Sequence, residues 1–323
     1  MNDSLLAPEA LLAAEVLLPD CAHDLQPLTP EAGARRYFRP RPECGWLLVL
    51  AETPPPHATA LWLAGCGVRV PALGPSRRGP LGPRGEGWAY LVEDFGDALF
   101  CARPHAAAYS ALLQSWERFA FRPLPAGHPQ AAIALDAALF RRELTMFLER
   151  YCLEHRRRAA SPEELAVWRG QLEALAAAAA EGPQCVQHRD FHSRNLVHLH
   201  LPATSAEEIG WLDHQDLRRG PLYYDLASLW TDAYADLPDS VRRLLRAAVP
   251  AWGASQGLSA AQAERRFHLS ALQRVLKALG TFGNLLAQGR AEYLPAERRA
   301  RAHALALFAA RGDLFPELQD LVA

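Results

Sequence analysis

Lysine is almost missing from this chain: of its 34 Lys and Arg residues, Lys277 is the one lysine. Charge of one sign is missing as well. Thirty-six acids stand against 34 bases, for a formal net charge of −2 over 323 residues, so there is no basic footprint for nucleic acid. No run reaches the roughly 18 uninterrupted apolar residues of a membrane span. The opening stretch "MNDSLLAPEALLAAEVLL" carries Asp3, Glu9 and Glu15 and lacks the positive region that begins a secretory signal. The six cysteines (21, 44, 66, 101, 152 and 185) are scattered, with no C-x-x-C, and read as free thiols in a reducing compartment rather than as a disulfide framework. A cytoplasmic protein is expected, without nucleic-acid or membrane partners. Internal repeats, H-E-x-x-H, G-x-S-x-G and G-x-G-x-x-G are absent too, which argues against a zincin and a serine-hydrolase elbow.

What is present is apolar enough for a sizeable core, at 50% hydrophobic residues. "WLLVLAE" (46–52) and "WAYLVEDF" (88–95) predict strands. A helix is expected from Ala58 to Cys66, ended by Gly67, and the turn-rich "LGPSRRGPLGPRGEG" (73–87) reads as a mobile surface loop. "EDFGD" (93–97) reads as a linker. Beyond it apolar residues recur at three- and four-residue spacing, and "SPEELAVWRGQLEALAAAAAEG" opens with Ser161, Pro162 and Glu164 in the pattern of a capping box. The expected organisation is an N-terminal lobe over 1–92, a hinge over 93–98 and a mostly helical C-terminal lobe over 99–323.

One stretch stands out. "CVQHRDFHSRNLVHL", Cys185 to Leu199, crowds three histidines, two arginines, an acid and two amides between apolar shoulders. Zinc is disfavoured because His188 and His192 flank Arg189 and Asp190 in a non-helical segment, and Cys185 has no cysteine at finger spacing. His198 and His200 read as strand-edge surface residues. Phosphoryl transfer fits better. The run His188-Arg189-Asp190-Phe191-His192-Ser193-Arg194-Asn195 fills every fixed position of the kinase loop H-R-D-x-x-x-x-N. In that loop the Asp accepts the proton of the attacking hydroxyl and the Asn reaches a Mg²⁺ on the nucleotide phosphates. A second metal-binding acid is then needed after the next strand, and Asp213 ends "IGWLD", 18 residues after Asn195.

"QHRDFHSRNLV" followed by "GWLDHQDLRRGPLYYDLASLWTDAY" resembles the aminoglycoside phosphotransferase/choline kinase superfamily. Within it, the likeness is to the bacterial anomeric kinases of N-acetylmuramate and N-acetylglucosamine, which share a Q-R-x-x-K-x-L-G-x-F run, here Gln273 to Phe282. "GARRYFRP" (33–40) and "LVEDFGD" (91–97) add weaker likeness. The resemblance implies an α+β, protein-kinase-like two-lobed fold, a small α/β lobe on a large helical one, with ATP as phosphoryl donor and Mg²⁺ as cofactor. It implies that the hinge Glu93 to Phe95 faces the adenine edge, that Asp225 holds the catalytic loop, with His188 as further support, and that the acceptor is a small molecule. A monomer or weak homodimer is expected.

Two departures bear on nucleotide binding. Gly33 stands alone where a glycine-rich loop would cover the phosphates, and the strand 46–52 lacks the lysine that usually clamps them. Arg35, Arg36 or Arg39 could take over that charge, with Arg39 preferred, although a forked guanidinium differs in geometry from an ammonium. These losses keep a nucleotide-binding pseudokinase open beside the enzyme. For the acceptor, Arg274 and Lys277 share one helix face and suit an acidic or neutral sugar, with Asp232 and Glu143 expected to bind hydroxyls from another wall. Another small alcohol or an aminoglycoside drug remains the alternative acceptor.

Overall fold

The computed structural model describes residues 8–21, 25–28, 35–40, 44–81 and 85–323; Gly33 lies outside them. The N-terminal part is a five-stranded antiparallel sheet in the order β1-β2-β3-β5-β4, built from β1 (Gln26–Pro27), β2 (Arg36–Arg39), β3 (Trp46–Ala51), β4 (Leu73–Pro80) and β5 (Glu86–Glu93). Side chains alternate across a strand, and β3 pairs with β5 so that Leu48 faces Leu91 and Leu50 faces Ala89. These four pack with Ala10, Ala13 and Ala14 of helix α1 (Pro8–Leu17) into one core. The opposite face carries Val49, Ala51 and Tyr90, which leaves an apolar underside turned toward the rest of the chain. The helix expected at 58–66 is α2 (His57–Gly65), packed on the turn His214–Asp216.

The expected surface loop 73–87 is corrected: most of it is β4 and the start of β5, an antiparallel pair in register from Ser76↔Tyr90 to Pro80↔Glu86. Its prolines are tolerated because β4 is the edge of the sheet, where a missing N–H costs no ladder bond.

After β5 the chain becomes mostly helical: α3 (Ala106–Ala120), α4 (Ala137–Met146) continuing into a π-helical stretch (Phe147–His155), α5 (Pro162–Ala180), α6 (Tyr224–Trp230), α7 (Asp239–Ser255), α8 (Ala260–Ala287), α9 (Leu294–Ala310) and α10 (Pro316–Gln319). The capping box at the start of α5 is formed, with the Glu164 N–H donating to Ser161 Oγ at 3.2 Å and the Ser161 N–H to Glu164 Oε2 at 2.8 Å. α8 is the central helix, buried from Phe267 to Gly283 on most sides. It lies against the stretch 147–155 because Gly280 and Gly283 carry no side chain there. A Cβ on Gly280 would stand 2.8 Å from the Phe147 amide nitrogen, and one on Gly283 2.8 Å from the Arg150 carbonyl oxygen.

Two short ladders complete this part. β6 (Gln184–Gln187) pairs with β9 (Arg218–Pro221), and β7 (Leu196–His198) with β8 (Ile209–Trp211). The polar run 188–195 therefore leaves β6 and enters β7, while 212–217 leaves β8 and enters β9, so the two loops emerge side by side. His198 is not at a surface edge as expected; it is buried, stacked on Phe100 at 4.1 Å, with Nε2 3.2 Å from the Arg103 carbonyl. All six cysteines are free, and no described helix is long and apolar enough to cross a membrane.

Candidate active site

The loop 188–195 is held from below by Asp225, which is fully buried. Its Oδ2 accepts the His188 N–H at 2.6 Å and the Trp116 indole N–H at 2.9 Å, and its Oδ1 accepts the Arg189 N–H at 3.0 Å. Burial pushes the Asp225 carboxyl upward, while His188 and these N–H donors favour its charged form. Tyr223, not Asp225, is the N-cap of α6, so the carboxylate serves the loop rather than its own helix. His188 extends the support, with Nε2 2.9 Å from the Leu212 carbonyl, in the neighbouring loop. Arg189 takes a positive φ of 81° and Asp213 one of 53°. These are uncommon left-handed conformations for residues with a Cβ, and they fall on the two segments that turn polar groups toward a common cleft.

The cleft holds two cavities. One, of about 470 Å³, is lined by Asp190, Lys277, Arg274, Tyr234, Phe282 and Tyr293 among others. The second, of about 210 Å³, lies under the sheet against Val49, Tyr90, Val92 and Leu212 and reaches the segment 93–97. Arg35, Tyr37, Arg194, Asn195, Asp213 and Gln215 line both. The residues expected to meet phosphates and metal are therefore at the junction of the two cavities, with Asp190 in the larger.

Asp190 shares a hydrogen-bonded ion pair with Lys277, Nζ to Oδ1 at 3.1 Å, with side-chain exposures of 28% and 16% respectively. Burial in the cleft works against ionising Asp190, but Lys277, Arg274 and Arg189 outweigh it and hold the carboxyl below its usual range. Lys277 is itself pushed down by burial and by Arg274, with Asp190 opposing. Arg274 donates to Tyr224 Oη at 3.1 Å and to Ser228 Oγ at 2.8 Å and lies over the Tyr224 ring. It is a fixed cation that touches the cavity with little exposed surface. Asn195 donates from Nδ2 to the Asp190 carbonyl at 2.8 Å, which leaves its amide oxygen as the atom available to a cation.

Several expectations need correction. Arg39 lines the smaller cavity but is bound to Asp94 at 2.6 and 2.9 Å and to Asp97 at 2.7 and 3.1 Å, and Arg36 to Glu9 at 2.9 Å. Arg35, just before β2, reaches the junction, 3.5 Å from Asp213 Oδ1. Glu93 turns its carboxylate to Arg69 and to the Ala72 N–H, at 3.0 Å, and its own N–H donates to the Ala72 carbonyl at 2.9 Å. Phe95 lines the smaller cavity and packs where Gly210 has no side chain; a Cβ there would stand 2.4 Å from the Phe95 ring. Asp232 does line the larger cavity, as expected of the acceptor wall, but its two oxygens also accept the Ser193 N–H at 2.7 Å and the Tyr234 N–H at 2.8 Å. Glu143 is outside both cavities, accepting from Gln273 Nε2 at 2.8 Å beside Arg189 at 3.7 Å. The aromatic corner Tyr234–Phe282–Tyr293, with successive ring centroids 6.0 Å apart, escaped the sequence reading. Asp216 did too: it pairs with Arg189 and, at 2.9 Å, with Arg218. The second acid of "DHQD" was its available signal.

Among the described residues no group of three His, Cys, Asp or Glu could hold a metal alone. The hard oxygens of Asn195 and Asp213 fit Mg²⁺, which keeps few protein ligands and takes the rest from phosphates and water.

A two-lobed fold with this loop, an amide and an acid at the junction of two cavities defines a protein-kinase-like phosphotransferase. The sequence matches the family described as "Phosphotransferase enzyme family" over residues 31–258, and the chain belongs to it. It is 29% identical over 320 residues to an N-acetylmuramate/N-acetylglucosamine kinase of Pseudomonas aeruginosa, covering 93% of this chain and 88% of that protein. It is 29% identical over 331 residues to the Pseudomonas putida protein of the same name, covering 94% and 88%. Among solved structures, a thermostable aminoglycoside phosphotransferase APH(4)-Ia in ternary complex with AMP-PNP and hygromycin B superposes with a TM-score of 0.58 at 11% identity. That match covers 94% of this chain and 99% of the other.

Proposed function

We propose that this phosphotransferase is an ATP- and Mg²⁺-dependent kinase of the anomeric hydroxyl of an N-acetylated amino sugar, N-acetylmuramate or N-acetylglucosamine, acting in the cytoplasm in cell-wall sugar recycling. The observation that carries the reading is the Asp190–Lys277 pair in a cavity that joins a second, apolar cavity through Asn195 and Asp213. The smaller cavity suits an adenine under the sheet, with the backbone of 93–95 along its edge. The larger suits a sugar ring against Tyr234, Phe282 and Tyr293, and Lys277 suits a carboxylate on that sugar. A polycationic drug would meet Lys277 and Arg274 at the inner wall, which disfavours an aminoglycoside acceptor. The two relatives named for these sugars support the same choice.

Asp190 is the group that orients the acceptor hydroxyl and takes its proton as the oxygen bonds to the γ-phosphorus and the nucleoside diphosphate leaves. An anomeric hydroxyl is more acidic than an ordinary alcohol, so a base held this far below the usual range is adequate. A divalent cation bound by Asn195 and Asp213 supplies neutralisation of charge on the transferred group. Arg35 provides the charge that the missing β3 lysine would. His188, Asp225 and Asp232 keep the loop in place, and Arg274 acts through its charge.

The test is an ATP-consumption screen, with and without Mg²⁺, against N-acetylmuramate, N-acetylglucosamine, their methyl glycosides, choline, homoserine and kanamycin. Turnover of the two free sugars only is expected. Turnover of a methyl glycoside removes the anomeric assignment, rapid kanamycin phosphorylation replaces it with drug modification, and nucleotide binding without turnover of any acceptor favours a pseudokinase.

A further inference from the structure

A third cavity, of about 400 Å³, is formed by the end of α6, α7, α8, α9 and the residue after α9. It shares no lining residue with either cavity of the cleft. Its floor is aromatic, with Trp230 and Phe267 edge to face at 6.1 Å and 72°. Arg242 and Arg246, one turn apart on α7, both lie over the Trp230 ring, their guanidinium carbons 5.5 and 5.6 Å from its centroid, and Arg246 also covers Phe267 at 5.1 Å. Arg311 closes a third side.

The charges do not cancel. Glu264 is taken by Arg246 at 2.6 Å, and Asp313 by Arg311 at 2.8 and 2.9 Å. Arg242 makes no hydrogen-bonded ion pair among the described residues; the acid that feels its charge, Asp236, is bonded to Arg299 at 2.7 Å. The fourth side is His268, which is 8% exposed and has an Nε2 with no hydrogen-bond partner. Burial and Arg311 hold its imidazole down to about 4, so at neutral pH it is an uncharged ring with one unfilled polar atom. A buried polar atom is ordinarily satisfied. Here one belongs to a side chain that lines a cationic cavity with room for a ligand. Water alone would fill the His268 position but would leave the guanidinium charge unmatched.

We propose that this cavity is a binding site for a small phosphate-class dianion, inorganic phosphate or the phosphate of a monoester. Arg242 and Arg246 receive the phosphoryl oxygens, a use for which the planar fork of arginine is suited, and His268 Nε2 makes the remaining hydrogen bond. Trp230 and Phe267 offer a surface to the organic part of a monoester. The site does not depend on which acceptor the cleft uses. It does adjoin the machinery that holds the catalytic loop, because Trp230 ends the helix that carries Asp225 and His303 Nε2 is 3.3 Å from the Asp232 carbonyl.

The proposal is tested by calorimetric titration of the full chain with inorganic phosphate, and separately with glucose 1-phosphate, at constant ionic strength set with chloride. Saturable binding is expected, weakened tenfold or more in Arg242→Gln and unchanged in the cleft variant Lys277→Met. Tighter binding of the monoester than of phosphate assigns the aromatic floor to the organic part, and equal binding assigns the site to the anion alone. Long-range proton–nitrogen spectra of the parent protein provide a readout that needs no variant: phosphate should shift the His268 Nε2 signal. Equal affinity in parent and Arg242→Gln, loss in Lys277→Met alone, or an unmoved His268 signal overturns the site.

Discussion

Replacing Lys277 by Met removes one charge from the wall of the larger cavity while keeping an unbranched side chain of similar length. The ammonium has three N–H donors. One goes to Asp190 at 3.1 Å, and no other described residue accepts from it, so two remain for an acceptor. The substitution then acts in two separable ways. The first is common to all acceptors. Asp190 loses its nearest cation, whose gross attraction at this distance is about 5 kcal/mol in a medium of effective dielectric near 20, much of it offset by desolvation. Arg274 and Arg189 still favour the anion, so Asp190 stays ionised at neutral pH and the common loss in turnover is modest. The second effect belongs to an acceptor with a carboxylate. A charge-assisted hydrogen bond contributes about 1.5–3 kcal/mol, which converts to roughly ten- to 150-fold in kcat/KM. The assay is the ratio of kcat/KM for N-acetylmuramate to that for N-acetylglucosamine, measured in the parent and in Lys277→Met. The common loss divides out, and the ratio should fall at least tenfold. An unchanged ratio, whatever happens to the separate values, would refute carboxylate recognition by Lys277.

Asp190→Asn should keep the melting temperature and lose turnover on the order of 10² or more; near-parental turnover in the folded variant removes the base from this residue. Arg35→Ala should raise the KM for ATP about tenfold, and Arg39→Ala should raise it less because that guanidinium is held by Asp94 and Asp97; the reverse order would return the phosphate role to Arg39. Asn195→Ala and Asp213→Ala should abolish the gain in ATP affinity that Mg²⁺ gives the parent in calorimetry, and an ATP affinity in the parent indifferent to Mg²⁺ would remove the metal roles. Burial holds His214 at about 3 and His268 at about 4, so each stays neutral in the fold while its unfolded counterpart gains a proton below about 6.5. The unfolded state then binds more protons as pH falls, and each histidine should remove about 2 kcal/mol of stability between pH 8 and pH 5. Urea midpoints across that range should fall with acid, and a flat profile would show that the two rings protonate in place.

The placement of the loop and of Asp213 beside it was legible because it is local in sequence: the Asp and the Asn are fixed five residues apart, and the second acid follows the next short strand. The lobes were legible from periodicity, as was the capping box of α5. What failed were statements about partners distant in the chain. Arg35, Arg36 and Arg39 are equivalent in a linear reading, yet each meets a different acid, Asp213, Glu9, and Asp94 with Asp97. Asp232 and Glu143 looked like free acids on helices, but both are buried, one accepting backbone N–H groups and the other a glutamine amide. The loop expected over 73–87 failed for a related reason. Proline and glycine mark turns only where a ladder bond is needed, and whether a strand is an edge depends on the order of the sheet, which no local pattern records.

The missing β3 lysine and the single lysine on α8 are connected through where cationic charge is placed. In the usual arrangement an ammonium near the sheet meets the nucleotide phosphates. Here the N-terminal part offers Arg35, just before β2, at the junction, already 3.5 Å from Asp213, so its charge is shared between protein and any phosphate. The larger cavity adds Lys277 and Arg274 from one face of α8, a helix that Gly280 and Gly283 let approach the backbone of 147–151. A lysine, not an arginine, fits the contact with Asp190 for a geometric reason. Arg274 already sets a planar fork against Tyr224 and Ser228 on this face. A compact ammonium can bond Asp190 with one N–H and turn the others to the acceptor.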